Sequence, residues 1–160
     1  MKFVADGMLG NLARWLRMMG HDVIYSATSE DDELMTIAQK EVRILLTRDL
    51  ELFQRCMSKG IDAFYVEGAN EAERLAELAE RFKFPLTIKM EMSRCPKCNT
   101  QLLSAPKDSV AGKVEEKTYA YYSEFWQCPG CGQVYWQGAH WNKICATLSD
   151  AEKILGGKRF

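Results

Sequence analysis

The sequence predicts an α/β fold: a parallel sheet with flanking helices, followed by a small cysteine-rich module. Three observations lead there. Up to residue 85, short apolar runs alternate with segments of helical periodicity, the pattern of βα units on a parallel sheet. One run, Arg43-Ile44-Leu45-Leu46-Thr47, is apolar almost throughout, as a strand covered on both faces must be. Finally, Cys95-Pro96-Lys97-Cys98 is matched by Cys128-Pro129-Gly130-Cys131, with 29 residues between the pairs.

Each element has its own reason. Lys2–Asp6 is a short apolar strand. Met8, Leu12, Trp15 or Leu16, and Met19 then recur at helical spacing, with Arg14 and Arg17 left for another face, and Gly20 ends that helix. Asp22–Tyr25 reads as the second strand. Ser29 is placed to cap a helix opening in Glu30-Asp31-Asp32-Glu33, with Leu34, Ile37 and Ala38 facing inward. After the third strand, Asp49–Ser58 reads as helical up to Gly60, and Ile61–Val66 as a fourth strand. Asn70 and Glu73 form a capping-box pattern for a helix through Phe82, and Glu77 and Arg81 are an i,i+4 pair on its wet face. Residues 85–93 connect to the cysteine module, where Tyr119–Gln127 and Gln133–Gln137 are the expected strands. Ser149–Leu155 reads as a short helix before a polar Gly156-Gly157-Lys158-Arg159 end expected to fray. The division is 1–90, 91–147 and a tail at 148–160.

Two thiolates with two residues between them can grip one ion from a tight turn. Two such turns complete the closed tetrahedral shell of structural Zn²⁺, so Cys95, Cys98, Cys128 and Cys131 are the expected zinc ligands. A disulfide reading is weaker, because nothing points to an oxidising compartment. An acidic residue at position 6 comes too early for a signal peptide, and no apolar run approaches the roughly 20 residues that span a bilayer. We therefore expect a cytoplasmic protein without a membrane segment. Cys56 and Cys145 read as idle thiols. Net charge is −1. Residues 1–92 carry 12 Lys+Arg against 16 Asp+Glu, and residues 93–160 carry 9 against 6, which is no strong basic footprint.

A closed zinc site does no chemistry, so activity must lie elsewhere. In open α/β sheets, ligands bind beyond the carboxyl ends of the strands. Asp6 ends the first strand, Asp49 follows the third, and Asp31 and Asp32 open the helix after the second. Asp22 and Asp62 precede their strands and belong to the other edge. Carboxylates gathered on one edge repel unless they are protonated or hold cations, and hard oxygen ligands suit Mg²⁺ or Mn²⁺. Plainer readings stand beside this one: Asp31 and Asp32 as partners of a helix dipole, and Asp49 as a helix cap. Gly7 and Gly10 place Asp6 for close approach by another group. Thr47 shares a face with Asp49 and could support a water there. Arg14, Arg17 and Arg48 could hold phosphates, or could be solvated surface. His21 reads as polar surface.

The run Asp6-Gly7-Met8-Leu9-Gly10-Asn11-Leu12-Ala13-Arg14-Trp15-Leu16-Arg17, with Gly20-His21-Asp22-Val23, is distinctive. So are Asp31-Asp32-Glu33-Leu34, Ile44-Leu45-Leu46-Thr47-Arg48-Asp49 and Val134-Tyr135-Trp136-Gln137-Gly138-Ala139-His140-Trp141. With the two knuckles, they resemble the mut-seven C-terminal RNase domain family over about residues 1–145. The resemblance implies a PIN-like nuclease domain joined to a zinc ribbon, and RNA as partner. Its acidic site falls on Asp6, Asp31 and Asp49, with Asp32 adjacent and Thr47 at the hydroxyl position. PIN-like sites usually add a fourth acid, for which Glu67 is the only edge-placed candidate here and not a clean match.

The ribbon is crowded with rings: Tyr119, Tyr121, Tyr122, Phe125, Trp126, Tyr135, Trp136 and Trp141. Most are expected to build its core. Those left outside, beside Lys113, Lys117, His140 and Lys143, could stack RNA bases, or the ribbon could dock on the first domain or on a protein partner. His140 is a fifth ligand only in principle, since four cysteines close the shell. The expected function is metal-dependent hydrolysis of RNA phosphodiesters. The alternative is a catalytically silent RNA- or protein-binding adaptor. A phosphoacceptor receiver fits less well, because strand one offers only Asp6 and no fifth strand ends in Lys.

Overall fold

A computed structural model describes residues 1–157. Lys158 and Arg159, part of the expected frayed end, lie outside the described residues. Four parallel strands form one sheet: β1 (Lys2–Ala5), β2 (Asp22–Tyr25), β3 (Ile44–Thr47) and β4 (Ala63–Tyr65), in the order β2-β1-β3-β4. All four are where the apolar runs predict them. The strand order reverses direction at β1, so the crevice between β1 and β3 is the switch point of the sheet.

Helices cover both faces. On one, α1 (Gly10–Met18), α4 (Glu71–Phe82) and α6 (Trp141–Gly157) bury Leu12, Leu16, Leu75, Leu78, Leu148 and Ala151 against Phe3, Ala5 and Leu46. On the other, α2 (Asp31–Glu41) and α3 (Leu50–Ser58) bury Leu34, Met35, Leu52 and Cys56 against Val4 and Leu45. Alternation along β1 explains the division: Phe3 and Ala5 face one layer, Val4 the other. Glu30, not Ser29, is the N-cap of α2, and its side chain makes no capping bond. Asn70 Oδ1 accepts from the Glu73 N–H at 2.9 Å as the capping box requires, while Glu73 reaches back to the Ala69 N–H instead of that of Asn70. Glu77 accepts from the N–H groups of Glu67 and Gly68 and so closes the β4 exit loop.

The cysteine module holds a second sheet, β5 (Leu103–Ala105), β6 (Phe125–Gln127) and β7 (Val134–Tyr135), in that order and antiparallel. Here the expectation needs correction. Tyr119 is not on a strand: Glu116–Tyr121 forms the short helix α5, and only Phe125–Gln127 is extended. Tyr121 and Tyr122 are consecutive, so a strand would have to send them to opposite faces. Instead Tyr121 ends the helix and Tyr122 caps it in an extended conformation, with their rings edge to face and centroids 4.9 Å apart. The short helix expected at Ser149–Leu155 spans Trp141–Gly157. It starts inside the cysteine module and runs back along α4. No described helix is long and apolar enough to cross a membrane.

Candidate functional site

The carboxyl edge of the sheet is assembled from β1, β3 and the first turn of α2. The Asp6 N–H donates to the Leu46 carbonyl at 2.9 Å, which extends the β1–β3 ladder one step past the strand. That step sets Asp6 beside Thr47. The Thr47 hydroxyl is fully buried; it donates to Asp6 Oδ2 at 2.8 Å and accepts from the Asp49 N–H at 2.9 Å. Asp49 also caps α3, its Oδ1 accepting from Glu51 and Leu52 N–H. Asp6 Oδ1 and Asp49 Oδ2 accept no hydrogen bond among the described residues.

Asp31 completes the group. Burial pushes its carboxyl above the ordinary range, and the charges of Asp49 and Asp6 push it further. That like-charge response places the three carboxylates in one electrostatic neighbourhood. Arg55 of α3 lies 3.8 Å from Asp31 and also pairs with Asp32, which is itself largely exposed. Arg55 has no counterpart in the sequence reading. Its only signal is its place on α3, about 1.7 turns after Asp49. Oxygen donors with unrelieved like charge fit a divalent cation chemically. The group is nevertheless wider than a closed shell: among the described residues, only the four cysteines bring three or more ligating atoms within 4.8 Å of one another.

The neighbours differ from expectation in an instructive way. Of the three arginines, Arg14 is exposed. Arg48 donates to the Gly68 carbonyl at 2.6 Å and clamps the β4 exit loop. Arg17 is buried, donating to the Val23 carbonyl through Nε and Nη2 and to the Pro96 carbonyl through Nη1. Its fork is spent on backbone, which corrects the reading of Arg17 as a phosphate ligand. Nor do the glycines after Asp6 admit a ligand. A Cβ on Gly10 would meet the Tyr25 hydroxyl oxygen at 2.7 Å and one on Gly7 the Ala27 carbonyl oxygen at 3.0 Å. The close approach is made by the end of β2, whose Tyr25 hydroxyl donates to the Gly7 carbonyl at 2.9 Å. Met8, two residues after Asp6, and Leu50, directly after Asp49, stand 69% and 51% exposed. Glu67 is exposed on the β4 exit loop.

The cysteines form a second centre. Cys95, Cys98, Cys128 and Cys131 have Sγ atoms within 4.8 Å, with Cys98–Cys128 at 3.3 Å and Cys95–Cys131 at 3.7 Å. A tetrahedron of Zn–S bonds of about 2.3 Å has edges of about 3.8 Å, so the sulfurs fit zinc. The knuckles are matched: Cys95 N–H donates to Thr100, as Cys128 N–H does to Gln133, and both turns close at a left-handed residue, Asn99 (φ 74) and Gly132 (φ 81). The Tyr135 hydroxyl lies 3.0 Å from Cys95 Sγ. Burial and then that sulfur raise its pKa, so it stays protonated and donates to the thiolate, an outer-shell support. Hydrogen bonding with Thr100 holds the Cys98 thiol down at about 6, toward the form that binds metal.

The first knuckle also docks. Val23 N–H donates to Asn99 Oδ1 at 3.0 Å, and Asn99 Nδ2 donates to Asp22 Oδ1 at 2.7 Å. Burial opposes ionisation of Asp22, but bonds from Arg43 and Asn99 outweigh it and hold the carboxyl below its ordinary range. His21, expected at the surface, is buried there: it packs on Phe3 and Phe84, and its Nδ1 accepts from the Met1 ammonium at 3.0 Å.

A four-stranded parallel sheet with carboxylates at its switch point and a docked four-cysteine ribbon defines the class of α/β protein. The chain belongs to the Mut7-C RNAse domain family, whose model matches residues 1–148. No curated protein and no solved structure matches the chain.

Proposed function

We propose that the chain is a ribonuclease that hydrolyses RNA phosphodiesters with a divalent cation, Mg²⁺ or Mn²⁺, held by Asp6, Asp31 and Asp49. The observation that carries the reading is the Thr47 hydroxyl that joins the Asp6 carboxylate to the Asp49 backbone at the carboxyl edge of the sheet, beside an Asp31 carboxyl raised by burial and then by the charges of Asp49 and Asp6. Family membership supports RNA as substrate. When bound, the cation supplies Lewis-acid stabilisation of phosphate charge and activation of water. Thr47 fixes the Asp6 carboxylate and the Asp49 backbone together, so the donors are positioned before any ligand arrives. Arg14, exposed on α1, is the arginine free to meet a phosphate. Arg55 pairs with Asp31 and Asp32 and so limits the repulsion among the carboxylates. The exposed Met8 and Leu50 offer apolar surface to an unstacked base.

The test is a time course on a mixed RNA panel with Mg²⁺ or Mn²⁺, comparing the wild type with Asp6→Asn at equal fold. The substitution keeps shape and removes charge. Turnover should fall by orders of magnitude, and stability should stay level or rise as one repelling charge is lost. Cleavage that survives in Asp6→Asn defeats the assignment. One observation favours the adaptor alternative: Arg55 already answers Asp31 and Asp32. That reading expects RNA or partner binding indifferent to Asp6→Asn and no turnover in either protein.

A further inference from the structure

We propose that the ribbon carries a nucleobase pocket, a second contact for single-stranded RNA set apart from the acidic crevice. The identity of the polymer rests on the ribonuclease reading; the pocket itself does not. A cavity of about 480 Å³ lies between α5, β7 and the start of α6. Tyr122, Trp136 and Trp141 wall it, and Thr118, Gln133 and His140 bring hydrogen-bonding groups to it. A flat heteroaromatic ring uses both kinds of group, π faces for stacking and polar atoms for its edges. A bare phosphate would have no use for three rings, and an aliphatic chain none for the amide and imidazole.

Trp136 is the second observation. An adjoining cavity of about 450 Å³ shares Gln133, Val134 and Trp136 and adds Lys113 and Glu115. One indole therefore borders two cavities, an arrangement suited to successive bases. Its position is built into the chain, since a Cβ on Gly138 would meet Trp136 Nε1 at 2.6 Å. Lys117 on α5 and Lys143 on α6 are exposed on the two framing helices, where they can follow a phosphate backbone. Tyr121, 81% exposed beside Tyr122, extends the ring surface outward.

The pocket cannot hold the scissile phosphate. It sits at the start of α6, whereas Thr147 and Asp150 farther along that helix meet Asn70 and Glu71 at the opening of α4, on the acidic edge. From Trp141 to Asp150 the helix rises about 14 Å. The pocket thus anchors a nucleotide away from the cut and selects strands long enough to reach both places.

The experiment uses full-length Asp6→Asn protein, so that binding is read without cleavage. Tryptophan fluorescence is followed during titration with an oligouridylate and with an abasic ribose-phosphate chain of equal length. Saturable quenching by the oligouridylate alone is expected. Tyr122→Phe should keep that affinity and Tyr122→Ala should weaken it about tenfold, the loss of one stacked base. If Tyr122→Ala loses its zinc, His140→Ala, at an exposed position, replaces it with a weakened affinity again expected. Equal quenching by both polymers, or an affinity unchanged in the alanine variant, overturns the proposal. So does an oligouridylate that leaves fluorescence unaltered, which would leave the pocket to a protein side chain. Wild-type turnover, measured separately, decides the ribonuclease reading whichever way binding falls.

Discussion

One hydroxyl ties the two central strands of the acidic crevice together. Thr47 serves both Asp6 and Asp49, and Thr47→Val keeps its volume while removing both bonds. A buried lost partner costs about 1–3 kcal/mol; the expected outcome is that loss in denaturant unfolding, with zinc content unchanged. The placement of Asp6, Thr47 and Asp49 was legible because strand ends and helix starts follow from periodicity alone. His21 was not legible. It follows a helix-ending glycine, and no pattern shows that Phe3 and Phe84 close over it. Burial first, then the Met1 ammonium, lowers its pKa to about 4 from 6.5. Between those values the unfolded chain holds the extra proton, so stability is full above pH 6.5 and falls as pH drops toward 4. The integrated loss is about 3 kcal/mol. His21→Phe keeps an aromatic ring in the cluster and removes the titration. Unfolding curves across that window should therefore be flatter for the variant; parallel curves would reject the account.

Edge strands need a cover, and β2 receives one from an unexpected quarter. Its outer Val23 N–H and carbonyl are taken by Asn99 and Arg17, which blunts the edge against pairing with another chain. Asn99 sits inside the first knuckle, between Cys98 and Thr100, in a left-handed turn. The four-cysteine knuckle thereby fixes the group that caps the sheet. Sequence spacing identified the ligands but gave no reason to single out the residue after the second cysteine, because its role depends on where the ribbon docks. The Asn99 contacts tie the knuckle to the sheet edge. Metal binding supplies folding free energy to such modules, so chelation should loosen β2 as well as the ribbon. The measurement is amide exchange at Val23 with and without chelator, and in Asn99→Ala with zinc bound. Protection should fall in both. Unchanged protection at Val23 after metal removal would show that the sheet edge stands alone.

At the level of the whole chain, the last helix decides whether the molecule is two units or one. A division at residue 147 cuts through α6. Leu148 and Ala151 are buried in the same core as Leu12, Leu75 and Phe3, and Ile144, Ile154 and Leu155 pack against it. The periodicity of Ser149–Leu155 gave part of this helix. Its true start at Trp141 was masked by the aromatic run of the ribbon, which reads equally well as strand. Periodicity also cannot say which partner an apolar stripe covers; here it is α4, whose inner face would otherwise meet water. The chain thus leaves the sheet after α4, builds the ribbon against the β2 edge, and returns as α6 to seal the face it left. Two contacts far apart in sequence, the knuckle and the returning helix, hold the ribbon to the sheet. Leu148→Ala should cost about 2–5 kcal/mol as a buried leucine truncation, and a chain ending at residue 147 should lose more, with unfolding broadened and α4 exposed to proteolysis. If both parts belong to one cooperative unit, zinc release and loss of the sheet's far-ultraviolet signal will share one thermal midpoint in the full chain. Two separated midpoints, or a stable folded chain ending at residue 90, would mean that α6 is an accessory and that the parallel sheet carries its own stability.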